Sequence, residues 1–247
     1  MRPETHTVLL GMCLPMLLAS PVPTPTPLAV INQDALYQGE YVVTLVNSHT
    51  TAITTAHNQN VGSPTAIHDD GSVIEAGSTA IIALPTGWAG RVAMAEINTT
   101  IHDRASLLEG AFVLQGDAGA RITLDVSYVD GFTVPIVCEC GGEVVLGCNL
   151  NLLEMCPDEY RIDAGTCMNP SRDGPADNFF KDCAALAYTF PKDDRATING
   201  IQNCEASIRC CVGTACAPHP RQQLCPGADR TAQLCSLVPD YKNSSAL

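Results

Sequence analysis

Residues 124–135 read LDVSYVDGFTVP, and they overlap the end of the segment Arg121–Val129, in which apolar and polar side chains alternate. A period of two is typical of a β-strand with one buried face. One face is predicted to carry Ile122, Leu124, Val126 and Tyr128, and the other Arg121, Thr123, Asp125 and Ser127. We therefore expect Asp125 on the polar face of a strand. We expect Asp130 at the end of that strand, where Gly131 lets the chain turn.

Similar short segments occur upstream and are separated by clusters of Gly, Asn, Asp and Pro. No helical period of useful length appears before residue 137, so short strands at this spacing predict an all-β sandwich. Residues 179–190 (FFKDCAALAYTF) are predicted to form one short helix. The other strand candidates are Tyr41–Val46, Thr79–Leu84, Arg91–Ala95 and Leu107–Leu114.

The charge balance and the N-terminus point to a secreted protein. The 247 residues include 13 basic and 26 acidic side chains, a net charge of −13, so nucleic acid and anionic lipid would repel the chain. Arg2, the apolar run from Val8 to Leu18 and small residues after it predict a signal peptide over 1–20. A Pro/Thr-rich linker over 21–39 is expected next, and no later stretch is apolar enough for a membrane helix.

Twelve of the thirteen cysteines lie beyond residue 137, and Cys13 falls in the predicted signal peptide. An even dozen in a secreted chain predicts disulfide bonds. The spacings do not repeat a zinc-type C-x-x-C pair, and His219 alone lies among them. The polar run His68–Asp70 before a glycine is typical of a solvated turn, so we expect neither a metal nor another cofactor.

Four charged residues are candidates for a site. Glu109 interrupts the apolar run LLEGAF, and burial would favour its protonated form. Arg91 is the first basic residue after residue 28, so it should be drawn to a carboxylate. The plain alternatives are a turn residue for Asp130, a solvated strand face for Asp125 and a structural ion pair for Arg91.

Two motifs resemble the thaumatin-like proteins, which include osmotin and fungal relatives. The first is DVSYVDGFTVPI over 125–136, and the second is FFKDC followed by AYTFPKDD over 179–194. Weaker similarities in the same order are VVTLVNS, GRVAMAE and LLEGAF, so that the resemblance covers about residues 40–205. It is closest to a fungal-type member, because plant members have a longer, cysteine-rich segment between the positions of Arg91 and Glu109.

The resemblance implies a flattened β-sandwich with a disulfide-rich loop domain and an acidic cleft between them. The implied boundaries are 40–137 for the sandwich core, 138–183 for the loop domain, 184–205 for a return to the sandwich and 206–247 for a Cys-containing extension. By motif, the cleft residues are Arg91, Glu109, Asp125, Asp130 and Asp193, with Asp194 as the adjacent possibility.

The family's activities imply a monomer that binds cell-wall β-1,3-glucan, or hydrolyses it weakly, in an antifungal or defence role. For hydrolysis, Glu109 would donate the proton, and Asp125 or Asp130 would be the nucleophile or base. The alternatives are a non-catalytic glucan-binding module, a secreted effector or structural wall protein, and a cleft whose charges form only an ion-pair network.

The resemblance also implies disulfide partners. Cys156 would bond Cys167, Cys148 would bond Cys183, and Cys138 or Cys140 would bond Cys204. The family's cysteine near the first strand is missing here, because Asn47–Ser48–His49 occupies its place. The partners of Cys210, Cys211, Cys216, Cys225 and Cys235 are left open.

Overall fold

The computed structural model describes residues 39–69, 71–101, 103–114, 120–175, 177–200, 204 and 207–222. The predicted signal peptide, nearly all of the linker, Cys225 and Cys235 lie outside the described residues. The chain divides into two units, Met1–Asn32 and Gln33–Leu247, and every described residue belongs to the second. Within the described part, no helix has the length and apolar character needed to cross a bilayer.

Among the described residues, the fold consists of two six-stranded sheets, one three-stranded sheet and three short 3-10 helices over Asp158–Tyr160, Lys181–Cys183 and Asp194–Ala196. The strands are β1 (Glu40–Asn47), β2 (Ile53–Gln59), β3 (Ile67–His68), β4 (Val73–Ile74), β5 (Thr79–Pro85), β6 (Ala89–Glu96), β7 (Ser106–Leu114), β8 (Ala120–Ser127), β9 (Gly131–Phe132), β10 (Ile136–Cys140), β11 (Glu143–Cys148), β12 (Arg161–Asp163), β13 (Thr166–Met168), β14 (Thr197–Asn199) and β15 (Ser207–Val212). Sheet A has the strand order β11-β10-β15-β1-β5-β3, sheet B has the order β14-β8-β7-β6-β2-β4, and sheet C has the order β12-β13-β9.

The predicted β-sandwich and all five predicted strands are confirmed, with end shifts of one or two residues. The predicted apolar face of β8 is buried, with Ile122 and Leu124 each 1% exposed and Val126 fully buried. These side chains join one core cluster with apolar residues of both large sheets, including Leu45 and Ile82 of sheet A. The alternation in β8 therefore sets which face of sheet B packs on sheet A.

The helix predicted over 179–190 is wrong. Only Lys181–Cys183 forms a single 3-10 turn, which ends at Ala184 with an extended ψ of 143°. Ala185 follows with a φ of 63°, a left-handed conformation that stops a right-handed helix. The apolar spacing that suggested a helix instead reflects Phe179, Phe180 and Cys183, which are buried from consecutive turns.

Strand β15 lies in the middle of sheet A, between β10 and β1. Residues 206–247 are predicted to form a C-terminal extension, because SIRCCV has little conventional core pattern. Ile208, Cys210 and Val212 are nevertheless buried on one side, so half-cystine takes the place of an aliphatic residue. Strands β10 and β11 also belong to sheet A, so that residues 138–148, which were expected in the loop domain, are part of the sandwich.

Five disulfide bonds join described cysteines, as an oxidising extracellular compartment permits. Three join partners that the resemblance implied, with Cys140 as the partner of Cys204. The other two disulfide bonds, which the resemblance does not imply, tie β10 to β15 and close a short loop after β15. The bonds are Cys138–Cys210, Cys140–Cys204, Cys148–Cys183, Cys156–Cys167 and Cys211–Cys216.

The buried hydroxyl of Tyr128 connects the end of β8 to sheet A. It accepts the Ile136 N–H at 2.9 Å and donates to the Cys148 carbonyl at 3.1 Å. The Tyr128 ring also packs edge-to-face on Phe132 at a centroid distance of 5.0 Å. This side chain therefore satisfies two buried backbone groups that lie beyond the chain reversal at 129–135.

Gly131 is required where the chain leaves β8. A Cβ atom there would lie 2.5 Å from the Arg104 carbonyl oxygen and 2.9 Å from that of Cys167. Gly131 and Phe132 form β9, which pairs with β13 of sheet C. The close approach thus holds Asp130 at the junction between sheet B and the disulfide-rich segment.

Two buried tyrosines give a matched test of these hydrogen bonds. Tyr128→Phe should lower the free energy of unfolding by about 1–3 kcal/mol, because it leaves a buried N–H and a buried carbonyl without their partner. Tyr41 is equally buried, yet its hydroxyl has no hydrogen-bond partner among the described residues. Tyr41→Phe should be neutral or stabilising. Guanidinium denaturation measures both, and equal effects of the two substitutions would contradict the assigned role of Tyr128.

Candidate functional site

Three charged side chains lie in register across the middle of sheet B. Arg91 of β6 is directly opposite Glu109 of β7, and Glu109 is directly opposite Asp125 of β8. Directly opposed residues have Cβ atoms about 4.5–5.5 Å apart, so neighbouring side chains can interact. The row continues to Asn58 on β2 and to Thr197 on β14. We call Arg91, Glu109 and Asp125 the charged row.

The charged row occupies the face of sheet B that points away from the sandwich core. Its alternate neighbours along β6 are Ala89 and Ala93, and Ala111 has the same relation to Glu109 on β7. These short side chains leave the row uncovered, so that Arg91 is exposed while Glu109 and Asp125 are half-buried. The surface can therefore present charged groups that are partly desolvated yet accessible.

The two carboxyl groups of the row hold protons more tightly than usual. Burial, and secondly the charge of Glu109, raise the pKa of Asp125 to about 7. Burial also raises the pKa of Glu109, and the nearby charge of Asp130 adds to that rise. A hydrogen bond from Ser127 and the charge of Arg91 act in the opposite direction on Glu109. Asp125 is therefore the member of the pair more suited to carry a proton near neutral pH.

Tyr188 and Asp194 flank the Asp125 end of the row. The Tyr188 hydroxyl lies 2.6 Å from Thr197 Oγ1 and 3.3 Å from Asp194 Oδ1. The Tyr188 N–H donates to the Val126 carbonyl at 2.8 Å, which places this residue beside β8. Burial, followed by smaller effects that include the charge of Asp125, raises the pKa of Tyr188. Sequence reasoning missed Tyr188, although it lies within the second family motif.

Asp130 lies near the row but already has a cationic partner. Arg172 Nε is 2.8 Å from Asp130 Oδ1, and Arg172 Nη1 is 3.3 Å from Asp103 Oδ2. A depression of about 290 Å³ is lined by these three residues together with Asn58, Arg91 and Leu107. Sequence reasoning missed Arg172 and Asp103, because their only signal is a position in turns that the tertiary fold brings together.

Asp193 does not join the charged row. It is 1% exposed, and its Oδ2 accepts the Ala185 N–H at 2.8 Å. Its Oδ1 has no partner among the described residues. The neighbouring Asp194 is the exposed carboxylate and contacts Tyr188. Of the five predicted cleft residues, Arg91, Glu109, Asp125 and Asp130 thus lie together, and Asp193 supports the loop behind them.

Within the described ranges, no three His, Cys, Asp or Glu side chains are grouped so as to hold a metal ion. Asp69, from the polar run before Gly71, accepts the Ile81 N–H at 2.6 Å and so supports the β3–β5 pairing. Asp70 and Cys225 lie outside the described residues.

Comparison with known proteins gives a partial similarity. No protein-family model matches the chain. The chain is 30% identical over 109 residues to the pathogenesis-related 5 protein Jun a 3.0101 of Juniperus ashei, covering 35% of this chain and 47% of that relative. The matched region thus spans about half the length of the relative. This distant similarity to a pathogenesis-related 5 protein supports the thaumatin-like resemblance of the motifs and agrees with the disulfide-rich β-sandwich.

Proposed function

We propose that this is a secreted, fungal-type thaumatin-like protein that binds β-1,3-glucan of cell walls in a defence-type role. The observation that carries the proposal is the charged row, an arginine and two carboxyl groups in register beside a depression. The disulfide bonds and the partial similarity to a pathogenesis-related protein support secretion and the defence class.

A polysaccharide matches the chemistry of the charged row. Each sugar hydroxyl both donates and accepts hydrogen bonds. Arg91 offers several donors, an ionised Glu109 offers only acceptors, and a protonated Asp125 offers a donor together with an acceptor. Groups of both kinds therefore stand side by side along one line, which suits a ligand with many hydroxyls. The neutral polymer also avoids repulsion from a chain with a net charge of −13.

Weak hydrolysis of the same polymer is the second candidate, favoured by the contrast between the two carboxyl groups. Hydrolysis requires one protonated and one ionised carboxyl group. The pKa of Asp125 is about 7, whereas Arg91 and Ser127 favour the ionised form of Glu109. We therefore assign proton donation to Asp125 and the nucleophile or base to Glu109, which reverses the expectation from the motifs. Direct opposition on adjacent strands favours a short separation, of the ~5 Å kind that accompanies retention.

Asp130 fits a positioning role better than a catalytic one. Its ion pair with Arg172, and the contact of Arg172 with Asp103, link sheet B to the turn that follows sheet C. The contacts of Asp130, Arg172 and Asp103 are those of a structural ion-pair network, which for Asp130 is the better description than a catalytic role. A non-catalytic effector or a structural wall protein would use the same scaffold without a requirement for the Asp125 proton.

Glucan binding should depend on the charged row. Glu109→Gln should weaken retention on insoluble β-1,3-glucan by about 10- to 100-fold, as expected for loss of a charged hydrogen-bond acceptor. Glu139→Gln is the matched control, because Glu139 forms its ion pair with Arg209 at 2.8 Å on sheet A. Sedimentation with glucan, chitin and cellulose measures the effect. Equal retention of both variants, or no preference for glucan, would refute the proposed site.

Hydrolysis can be separated from binding at Asp125. Asp125→Asn keeps the size of the side chain but removes the transferable proton, so release of reducing sugar from soluble β-1,3-glucan should fall to background. Binding should weaken much less, since the amide still donates and accepts hydrogen bonds. The assay compares reducing ends with sedimentation of the same preparations. Undiminished sugar release by the variant would exclude Asp125 as proton donor.

Stability should decrease with rising pH because of Asp125. Its pKa is about 7 in the folded protein and about 3.9 in an unfolded chain, so between those values the folded state binds more protons. The free energy of unfolding should therefore fall as the pH rises from about 4 to about 7. The Asp125→Asn variant lacks this pH dependence. At pH 8 its free energy of unfolding should exceed that of the natural protein by on the order of 2 kcal/mol.

Guanidinium denaturation at pH 4, 6 and 8, three values that span the ~3.9–7 interval, tests this dependence. The free energies of unfolding of the two proteins should be nearly equal at pH 4. A constant difference at all three pH values would show that Asp125 does not retain its proton in the folded protein.

A further inference from the structure

The turn between β6 and β7 presents Asn98 at the surface. The Thr99 N–H donates to the Glu96 carbonyl at 3.0 Å, and Asn98 adopts a φ of 71°. Asparagine is one of the few residues other than glycine that adopt this left-handed conformation readily. Asn98, Thr99 and Thr100 also form the pattern Asn-x-Thr, which is the acceptor sequence for N-linked oligosaccharide.

The surroundings of Asn98 leave its amide accessible. Asn98 and Thr100 are exposed, and among the described residues none is hydrogen-bonded to the Asn98 side chain. The neighbouring Thr99 is the side chain that faces the protein, because a Cβ atom at Gly165 would lie 2.3 Å from Thr99 Oγ1. The turn therefore contacts the β12–β13 hairpin through Thr99 and leaves Asn98 and Thr100 for an enzyme to approach.

Ile97 gives a physical reason for a large polar group at this turn. Its side chain is 39% exposed, among the more exposed of the large apolar residues. An oligosaccharide on the next residue would cover this apolar surface. Ile101 and Asp103, which line the depression, follow Asn98 in the same connection between β6 and β7.

We propose that Asn98 carries an N-linked oligosaccharide, which rests on the secretory route contained in the proposed function. The donor is a lipid-linked oligosaccharide pyrophosphate. The Asn98 amide nitrogen attacks the anomeric carbon, a C–N bond forms as the C–O bond to the lipid pyrophosphate breaks, and the amide loses one proton. The hydroxyl of Thr100 completes the acceptor sequence, and no oxidant or reductant takes part.

The test is secretion of the full chain, with its own N-terminus, from a eukaryotic host, followed by trypsin digestion. Cleavage after Arg91 and Arg104 releases residues 92–104, which contain the Asn98 sequon and no other. The peptide should be shifted in mass by an oligosaccharide. Treatment with an N-glycanase in heavy-oxygen water should remove the shift and leave a labelled Asp at position 98. An unmodified peptide from the secreted, disulfide-bonded protein would overturn the proposal.

Matched variants separate recognition from folding. Thr100→Ala and Asn98→Asp should both lose the oligosaccharide, and Asp also tolerates the left-handed turn. Thr100→Ser and Thr99→Ser preserve the acceptor pattern, so both should keep it. Loss from Thr99→Ser, or retention by Thr100→Ala, would contradict the assignment.

The outcome is distinct from that for glucan binding. A glycosylated protein that fails to bind glucan overturns the proposed ligand and leaves Asn98 as a modification site. A chain that stays inside the cell with reduced cysteines overturns the modification together with the proposed secretion.

Discussion

The pairing of β7 with β8 determines both the core and the candidate site. The two strands are in register over eight consecutive positions, from Leu107 opposite Ser127 to Leu114 opposite Ala120. Because side chains alternate along a strand, a slip of β8 by one residue along β7 would turn Asp125 into the core and expose Leu124 and Val126. Burial of the apolar face therefore enforces the register that aligns Glu109 with Asp125. Arg91 joins the same line through the register of β6 with β7.

The segment after β8 connects sheet B to the disulfide-rich half of the chain. The Tyr128 hydroxyl is hydrogen-bonded to Ile136 of sheet A. The Asn169 side chain donates to the Tyr128 carbonyl at 2.9 Å and to the Thr189 carbonyl at 2.7 Å. The turn that carries Arg172 and the loop that carries Tyr188 are thus both held against the end of β8. The rim of the candidate site consists of loops, but buried backbone hydrogen bonds and the Cys148–Cys183 bond anchor those loops.

Partial burial gives the charged row its chemistry. Opposed carboxyl groups in bulk water would both be ionised at neutral pH, and desolvation with mutual repulsion makes that state unfavourable. Arg91 and Ser127 lie on the side of Glu109, so the negative charge is best placed there and the proton on Asp125. The difference between two similar side chains therefore arises from their neighbours, which is the usual origin of separate acid and base roles.

Local pattern determined much of this protein. The alternation in Arg121–Val129 was sufficient to predict a strand and its inner face, and the spacing of short strands predicted the sandwich. Those features are local, because side-chain direction in a strand follows from the backbone geometry. The grouping of Arg91, Glu109, Asp125 and Asp130 was implied only by the family resemblance. The predicted helix failed and β15 was missed for a related reason. Half-cystines and paired phenylalanines are buried through contacts with distant residues, which a single segment does not reveal.

Only the tertiary structure decided which residues the charged side chains contact. Asp193 and Asp194 are adjacent in one motif, yet they have different surroundings. Asp193 is buried and accepts a hydrogen bond from the Ala185 N–H, whereas Asp194 contacts the Tyr188 hydroxyl. Arg172 is 42 positions from Asp130 and meets it through the pairing of β9 with β13. The proton preference of Asp125 likewise depends on burial and on a charge from another strand. The sequence determined which residues could be charged and which face of a strand they share. Long-range packing decided which charges meet and how much water surrounds them. The reason is that electrostatic energy depends on distance and solvation rather than on order along the chain.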